Sequence, residues 1–405
     1  MSKTTNQKRK NPDVDEIRYR KRQDYIRASM ALSLIPDIGA GRIKYLFEHY
    51  PEPLSVFSSS WEELASISKI GKKAAHAICK FSGWNKVNEL LNMAEKHKFT
   101  LITPFDDCYP SLLKQIYDPP ALLWVRGYAE ALKQHFLAIV GTRRPSRHGR
   151  NLTLRFTQEV VCHSQLGIVS GLANGIDTLA HKVTLDEKRC TVAVLGSGPD
   201  RIYPRGNISL AHRIAEHGGA VISEFLPGTK PDAFNFPIRN RIVSGMSLGV
   251  LVTETGNTGG SLITVQSALD QGREVFIVPH DVRNPVGQGC NELIQRGWGK
   301  LVMRVSDILE ELPVNMGNQP SGRADRRNGL SHLEGAASAK TWQAMELEEP
   351  EKQICQRLDQ RPLSIDDLAK LLKMETSVLL PVLLQLELSG IITQKPGKKF
   401  TLREG

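Results

Sequence analysis

A chain of 405 residues with 40% hydrophobic side chains is too long for one ordinary domain, and two or three domains with real cores are expected. A formal charge of +10 and a pI near 9.3 point to a polyanionic partner. No apolar run approaches the roughly 18 residues that span a membrane, and the first residues lack the apolar core of a signal peptide, so a soluble cytoplasmic protein is expected.

Residues 1–23 read as a flexible basic arm. Eight Lys or Arg up to Arg22 stand against Asp13, Asp15 and Glu16, a surplus of +5 and half of the total. The rest of the chain is therefore only mildly basic, and any anion site in it must be focused. Residues 24–107 read as a helical module with an internal echo. Pro36-Asp-Ile-Gly-Ala-Gly-Arg-Ile-Lys-Tyr-Leu46 and Ser68-Lys-Ile-Gly-Lys-Lys-Ala-Ala-His-Ala-Ile78 each set an apolar-Gly turn before an amphipathic helix. The pattern resembles tandem helix-hairpin-helix units, whose turn amides can face a phosphate at a helix N-terminus. Such units usually carry a further glycine at the positions held here by Asp37 and Lys69. Asp37 would repel phosphate, so the first unit is read as a packing module. Lys69, Lys72 and Lys73 leave the second open to either role.

Residues 108–312 change to an α/β pattern. Apolar, β-rich runs recur at Phe136–Val140, Ile168–Ser170, Val192–Leu195, Val221–Glu224, Val250–Thr253, Val275–Val278 and Leu301–Val305, with helical stretches between them. This predicts a Rossmann-like, doubly wound parallel sheet that binds ligands at the carboxyl ends of its strands. Three glycine-rich loops follow predicted strands: Gly141–Gly149, Ser170–Asp177 and Glu254–Ser261. Gly141, Gly259 and Gly260 allow close backbone approach, Ser261 at a helix start adds a cap hydroxyl, and Ser146 is a further candidate contact in the first loop. Arg143, Arg144 and Arg147 put three guanidiniums at the first of these ends, suited to phosphate by their forked geometry. A fourth segment, Lys230–Arg241, interleaves cations with rings: Lys230, Phe234, Phe236, Arg239 and Arg241, with Asn240 between the arginines. Cations that track phosphates beside rings that stack on bases suit single-stranded nucleic acid; a buried Phe pair beside a solvated basic helix start is the competing reading.

Several catalytic and cofactor signatures are missing. The chain has no Gly-x-x-x-x-Gly-Lys-Ser/Thr loop. Gly196-Ser-Gly198 follows a strand, but Arg201 stands where a dinucleotide fingerprint needs its third glycine. Asp177 and His181, four apart on a predicted helix, are read as a local hydrogen-bonded pair supporting the neighbouring loop, with an acid/base pair as the competing role. Glu254 is read as orienting the loop after its strand, with catalysis as the competing role. The six cysteines are widely spaced and form no zinc pattern, so free thiols and no metal or cofactor are expected.

Residues 313–350 have few apolar anchors and read as a linker. In 351–405, Ser364 can cap a helix over Asp366–Leu372. A second helix runs from about Ser377 to Ser389, with Gly390 as its stop, and Ile391–Gln394 and Lys399–Leu402 flank a Lys-Pro-Gly turn. That is a winged-helix pattern. Its second helix holds Glu387 and Pro381 but no Lys or Arg, which favours packing or protein contact over reading a major groove.

The motifs Gly141-Thr-Arg-Arg-Pro-Ser-Arg-His-Gly149, Ser170–His181, Leu195–Pro204, Phe236-Pro-Ile-Arg-Asn-Arg-Ile-Val-Ser-Gly245 and Gly260–Thr264 occur in that order over roughly 110–300. Together they resemble the DNA-processing protein A family, also called DprA or Smf, in which a helical N-terminal module and a winged helix are common. The resemblance implies a non-enzymatic protein that binds single-stranded DNA entering in natural transformation, protects it and loads RecA recombinase onto it, as a homodimer. It places DNA contacts on Arg143 and on Phe236, Arg239 and Arg241. This chain departs from the family pattern at Thr258-Gly259, where a basic-Ser pair is commoner. It departs again at His280, where glycine is usual, and at Gly287, where serine is usual. Two other functions remain in view. One is a nucleotide-processing enzyme of the phosphoribohydrolase type, which Gly259-Gly260 resembles weakly but whose catalytic carboxylate position holds Gln266. The other is a duplex-DNA regulator using the winged helix and basic arm.

Overall fold

The apolar runs of the central region assemble into one nine-stranded sheet because, alternating with helices, they can be buried on both faces. The computed structural model describes residues 12–313, 349–358, 363–372, 374, 376–388, 391–395 and 399–402. They fall into two units, one up to 313 and one from 349 onward.

The first unit opens with α1 (Pro12–Ser33), α2 (Ala40–His49), α3 (Trp61–Ser66), α4 (Gly71–Cys79) and α5 (Trp84–Lys96). Half of the expected flexible arm is thus helix, and Arg22 donates from Nε to Asp106 Oδ1 at 2.6 Å; residues 1–11 of that arm lie outside the described residues. The two hairpin turns face each other. Asp37 and Lys69 adopt φ of +66° and +71°, the left-handed conformation that explains why glycine is usual there. Arg42 donates to the carbonyls of both residues, and Lys73 pairs with Asp37 at 2.7 Å. Lys69 is held between the rings of Tyr45 and Tyr117 and bonds both hydroxyls. The cations that left the second turn open to phosphate are therefore engaged in joining the two turns and the following chain; Lys72 is exposed.

The sheet comprises β1 (Thr100–Ile102), β2 (Leu123–Gly127), β3 (Phe136–Gly141), β4 (Gly167–Ser170), β5 (Thr191–Val194), β6 (Ala220–Ser223), β7 (Ser247–Glu254), β8 (Glu274–Ile277) and β9 (Lys300–Leu301). Its order is β1-β2-β6-β5-β4-β3-β7-β8-β9. Strands β3 to β9 are parallel, but at one edge β2 runs antiparallel to β6, and β1 antiparallel to β2. The sheet is therefore mixed and begins at Thr100, inside the stretch expected to be helical. The last strand is shorter than expected. Asp307 Oδ2 accepts from the amides of Met303 and Arg304, which turns the chain before 305. Helices α6 (Ser111–Lys114), α7 (Arg147–His163), α8 (Ile176–Asp186), α9 (Ile208–Glu216), α10 (Asn235–Gly245), α11 (Gly260–Asp270), α12 (Gln288–Gln295) and α13 (Ser306–Leu309) cover the faces. Chain order reverses between β3 and β7, the switch point at which such sheets open a crevice. All six cysteines are unpaired thiols, and no described helix is long and apolar enough to cross a membrane.

The second unit packs α14 (Glu349–Leu358), α15 (Ile365–Leu372) and α16 (Thr376–Leu388) with a three-stranded sheet, β10 (Leu363–Ser364), β11 (Ile392–Lys395) and β12 (Lys399–Leu402), in the order β10-β12-β11. Ser364 Oγ accepts from the Asp367 amide at 3.2 Å, the expected cap, and α16 carries Pro381 internally. This is a winged helix with an additional leading helix. The expected linker (apart from Pro313, Glu349 and Pro350), Gly390 and the Lys-Pro-Gly turn beyond Lys395 lie outside the described residues.

Candidate nucleic-acid interface

A crevice of about 780 Å³ opens at the carboxyl ends of β3, β4 and β7. Its walls come from four loops. They are Gly141–Arg144 after β3, Gly171 to Asp177 after β4, Pro231–Asn240 leading through α10, and Thr258–Thr264 at the start of α11, with Tyr203 at the rim.

The centre of this crevice is Phe236. Arg143 Cζ lies 5.4 Å and Arg239 Cζ 5.9 Å from its ring centroid, so two guanidiniums flank one partly exposed ring. Tyr203, 43% exposed, brings a second ring to 5.8 Å. Gly196 makes room for the Phe236 ring, since a Cβ there would sit 2.8 Å from Cδ1. Phe234 is not half of a buried pair: it is 83% exposed.

The two arginines differ in kind. Arg143 is exposed, whereas Arg239 is buried and donates to the carbonyls of Gly171 and Val194. Burial lowers the Arg239 pKa to about 10, with Asp177 opposing the shift and Arg143 adding to it, so Arg239 stays charged at neutral pH. Asp177 Oδ2 in turn accepts from the amides of Gly171 and Ala173. Its pKa is raised by burial, against the pull of Arg239 and those amides. The Gly171 peptide is thus gripped at both ends, and the loop after β4 is set rigidly beneath the ring. His181 does not pair with Asp177. Its Nδ1 bonds Thr191 Oγ1 at 2.7 Å, and burial depresses its pKa to about 3.

Arg241 does not line the crevice. It turns to the other side of α10, where it pairs with Glu224 and, at 3.1 Å, with Asp118. Burial pushes the Glu224 carboxyl up while Arg241 pulls it down. Lys230 is exposed beside the crevice, and its carbonyl accepts from Asn235. Asn240 lines the crevice, accepts from Arg239 Nε at 3.1 Å and donates to the Gly260 carbonyl.

The first loop is held from below. Ser146 caps α7 by accepting from the Gly149 amide at 3.0 Å, while its own amide and hydroxyl donate to Glu254 at 2.7 and 2.5 Å. Glu254 therefore orients the loop after β3, not the loop after its own strand as expected. Arg143, Arg144, Arg147 and Arg150 remain exposed on that support. At the opposite wall Gly259 precedes α11 and Gly260 is its first residue, but Ser261 does not cap it: its hydroxyl is buried against Thr255 Oγ1 at 2.7 Å. Gln266, at the position of the missing carboxylate, is exposed on α11 and donates to Asp270. Sequence reasoning missed Tyr203 as a crevice residue, although it lies within the quoted Leu195–Pro204 motif. It also missed Arg150, which lies one residue past the quoted loop.

Two departures from the family pattern prove to be one. A Cβ at Gly287 would lie 2.3 Å from His280 Cγ, so the larger residue at 280 occupies the space that a serine at 287 would need. His280 is anchored there by Nε2 to the Thr253 carbonyl at 2.8 Å and by Asn291, whose side chain bonds its backbone amide and carbonyl.

A Rossmann-like sheet with an arginine- and ring-lined crevice at its switch point, in a chain that also carries a helix-hairpin-helix tandem and a winged helix, defines a multidomain α/β protein with a crevice suited to an anionic ligand. Residues 100–313 match the family described as DNA recombination-mediator protein A, 338–398 the DprA winged helix domain, and 29–82 and 62–103 a SAM-like helix-hairpin-helix tandem. The chain belongs to this DprA/Smf family. It is 45% identical to the DNA processing protein DprA of Bacillus subtilis over 206 residues, 51% of this chain and 68% of that protein. It is 31% identical to protein Smf of Synechocystis over 398 residues, 92% of this chain and 98% of that protein. The X-ray structure of DprA from Streptococcus pneumoniae superposes with a TM-score of 0.61 at 32% identity, over 71% of this chain and 99% of that one.

Proposed function

We propose that this protein binds single-stranded DNA in the crevice, protects it during natural transformation and loads RecA recombinase onto it, acting as a homodimer and by binding rather than by turnover. The observation that carries the binding step is the ring of Phe236 flanked by Arg143 and Arg239. A base can stack on a phenyl ring only when its own face is free, which a single strand offers and a duplex does not, while the guanidinium of Arg143 is free to meet the phosphate. The RecA, transformation and dimer parts rest on membership of the family.

The test is retention of single-stranded and duplex oligonucleotides by the purified protein across a salt series. Single strands should bind more tightly, with log affinity falling against log salt by about 0.7 per phosphate held. Equal or tighter duplex binding would exclude the stacking reading. A pull-down with purified RecA in the absence of DNA tests the loading step, and sedimentation tests the dimer.

A further inference from the structure

The loop after β3 has two sides, and the crevice occupies only one. On the other lies a recess of about 500 Å³, lined by Arg143, Arg144, Arg150, Gly175, Thr178 and Leu179 among others. Arg143 and Arg144 line both spaces, so the two share this loop as a common wall. Gly175, at φ +84°, brings the start of α8 close beneath this loop: a Cβ there would meet the Arg143 carbonyl carbon at 2.7 Å. No residue lining the recess is acidic. Among the described residues Arg143, Arg144 and Arg150 form no ion pair, although one turn further along the same helix Arg155 pairs with Glu159. The Thr178 hydroxyl is fixed, donating to the Ala173 carbonyl at 2.6 Å and accepting from Asn207 at 2.8 Å. Three unneutralised guanidiniums around a partly apolar floor match a sugar-phosphate segment better than a base, since the recess offers no ring to stack on.

We propose that this recess is a second backbone-holding subsite: a strand leaving the crevice passes over Arg143 and Arg144, and its next phosphodiester is gripped by Arg150 beside the start of α8. The inference rests on the single-strand reading of the crevice and extends it by giving the strand a direction and a footprint. A terminal 5′-phosphate carries the same chemistry as an internal phosphodiester, so the test must separate them.

Affinity is measured for wild type, Arg150→Ala, Arg150→Glu and Arg143→Glu with oligothymidylates shortened one nucleotide at a time, each with and without a 5′-phosphate. Arg150 is exposed, and thermal melting of its variants should match wild type. The expected result is length-dependent. Arg150→Ala lowers the salt slope by about 0.7 on long strands, Arg150→Glu weakens them further, and neither changes binding of strands short enough for the crevice alone. The 5′-phosphate makes no difference on long strands. Loss at every length, loss at none, or loss confined to phosphorylated ends overturns the proposal. In each of those outcomes the crevice reading survives as long as wild type binds and Arg143→Glu does not. Failure of both controls removes the crevice reading and this subsite with it.

Discussion

The arginines of residues 143–150 and those of α10 carry the same charge in opposite surroundings. Arg143, Arg144, Arg147 and Arg150 stand exposed on a loop and first helical turn braced by Ser146 and Glu254. Arg239 and Arg241 are spent inside the protein, one on backbone carbonyls and the other on Glu224 and Asp118. An exposed arginine keeps its donors for a ligand, whereas a buried one fixes the geometry around it. A basic motif therefore names two jobs, and only burial and partners separate them.

The sharpest way to break this division is Arg241→Ala. It leaves Glu224 buried without its cation, and breaking such a pair costs about 3–5 kcal/mol. Urea unfolding should show that loss, while the fraction that stays folded binds oligonucleotide nearly as well as wild type. A large affinity loss at unchanged stability would make Arg241 a ligand group after all. Arg143→Glu should do the reverse: affinity for single strands falls by about two orders of magnitude, and the unfolding midpoint stays put. Phe236→Ala comes next. Loss of one stacked base should cost about 1–3 kcal/mol of binding without changing the salt slope, because no phosphate contact is removed. A changed slope would mean that Phe236 acts only by positioning Arg143.

Six of the sheet's nine strands were legible in the sequence, because a strand covered on both faces reads as a continuous apolar run, as at Phe136–Val140 and Val250–Thr253. Strand β2 (Leu123–Gly127) and the two edge strands were not. Thr100–Ile102 is only three residues long and adjoins a helix, and Leu301–Val305 alternates like a strand but is turned by Asp307. In the site, the meeting of Arg143 with Phe236 and Arg239 agrees with the motif reading. Arg241 differs because two helical residues are about 200° apart around the axis, which puts 239 and 241 on opposite faces. The arginine pattern alone carries no trace of Glu224 and Asp118, which come from distant segments. His280 and Gly287 likewise read as two separate departures until their contact is seen. Gly287→Ser alone should destabilise the fold by about 1–3 kcal/mol through overpacking, and His280→Gly in the same molecule should recover most of it. Failure of that rescue in thermal melts would uncouple the two positions.

A pH-dependent effect is expected at His181, whose imidazole is buried on α8. Its folded pKa of about 3 lies below the ordinary value of 6.5, so the unfolded chain takes up a proton that the folded one refuses. Its contribution is complete above pH 6.5 and is lost as pH falls toward 3, by at most about 1.4 kcal/mol per pH unit. The stability gap between wild type and His181→Gln should close over that window; a gap independent of pH would show that the imidazole is not held neutral.

The most direct test of the central claim is photocrosslinking with a 5-bromouracil-substituted single strand, followed by peptide mapping. The crevice account predicts adducts on Phe236 or Tyr203, diminished in Arg143→Glu. Adducts confined to the helix-hairpin-helix turns or to residues 349–402, with none in the crevice, would contradict it.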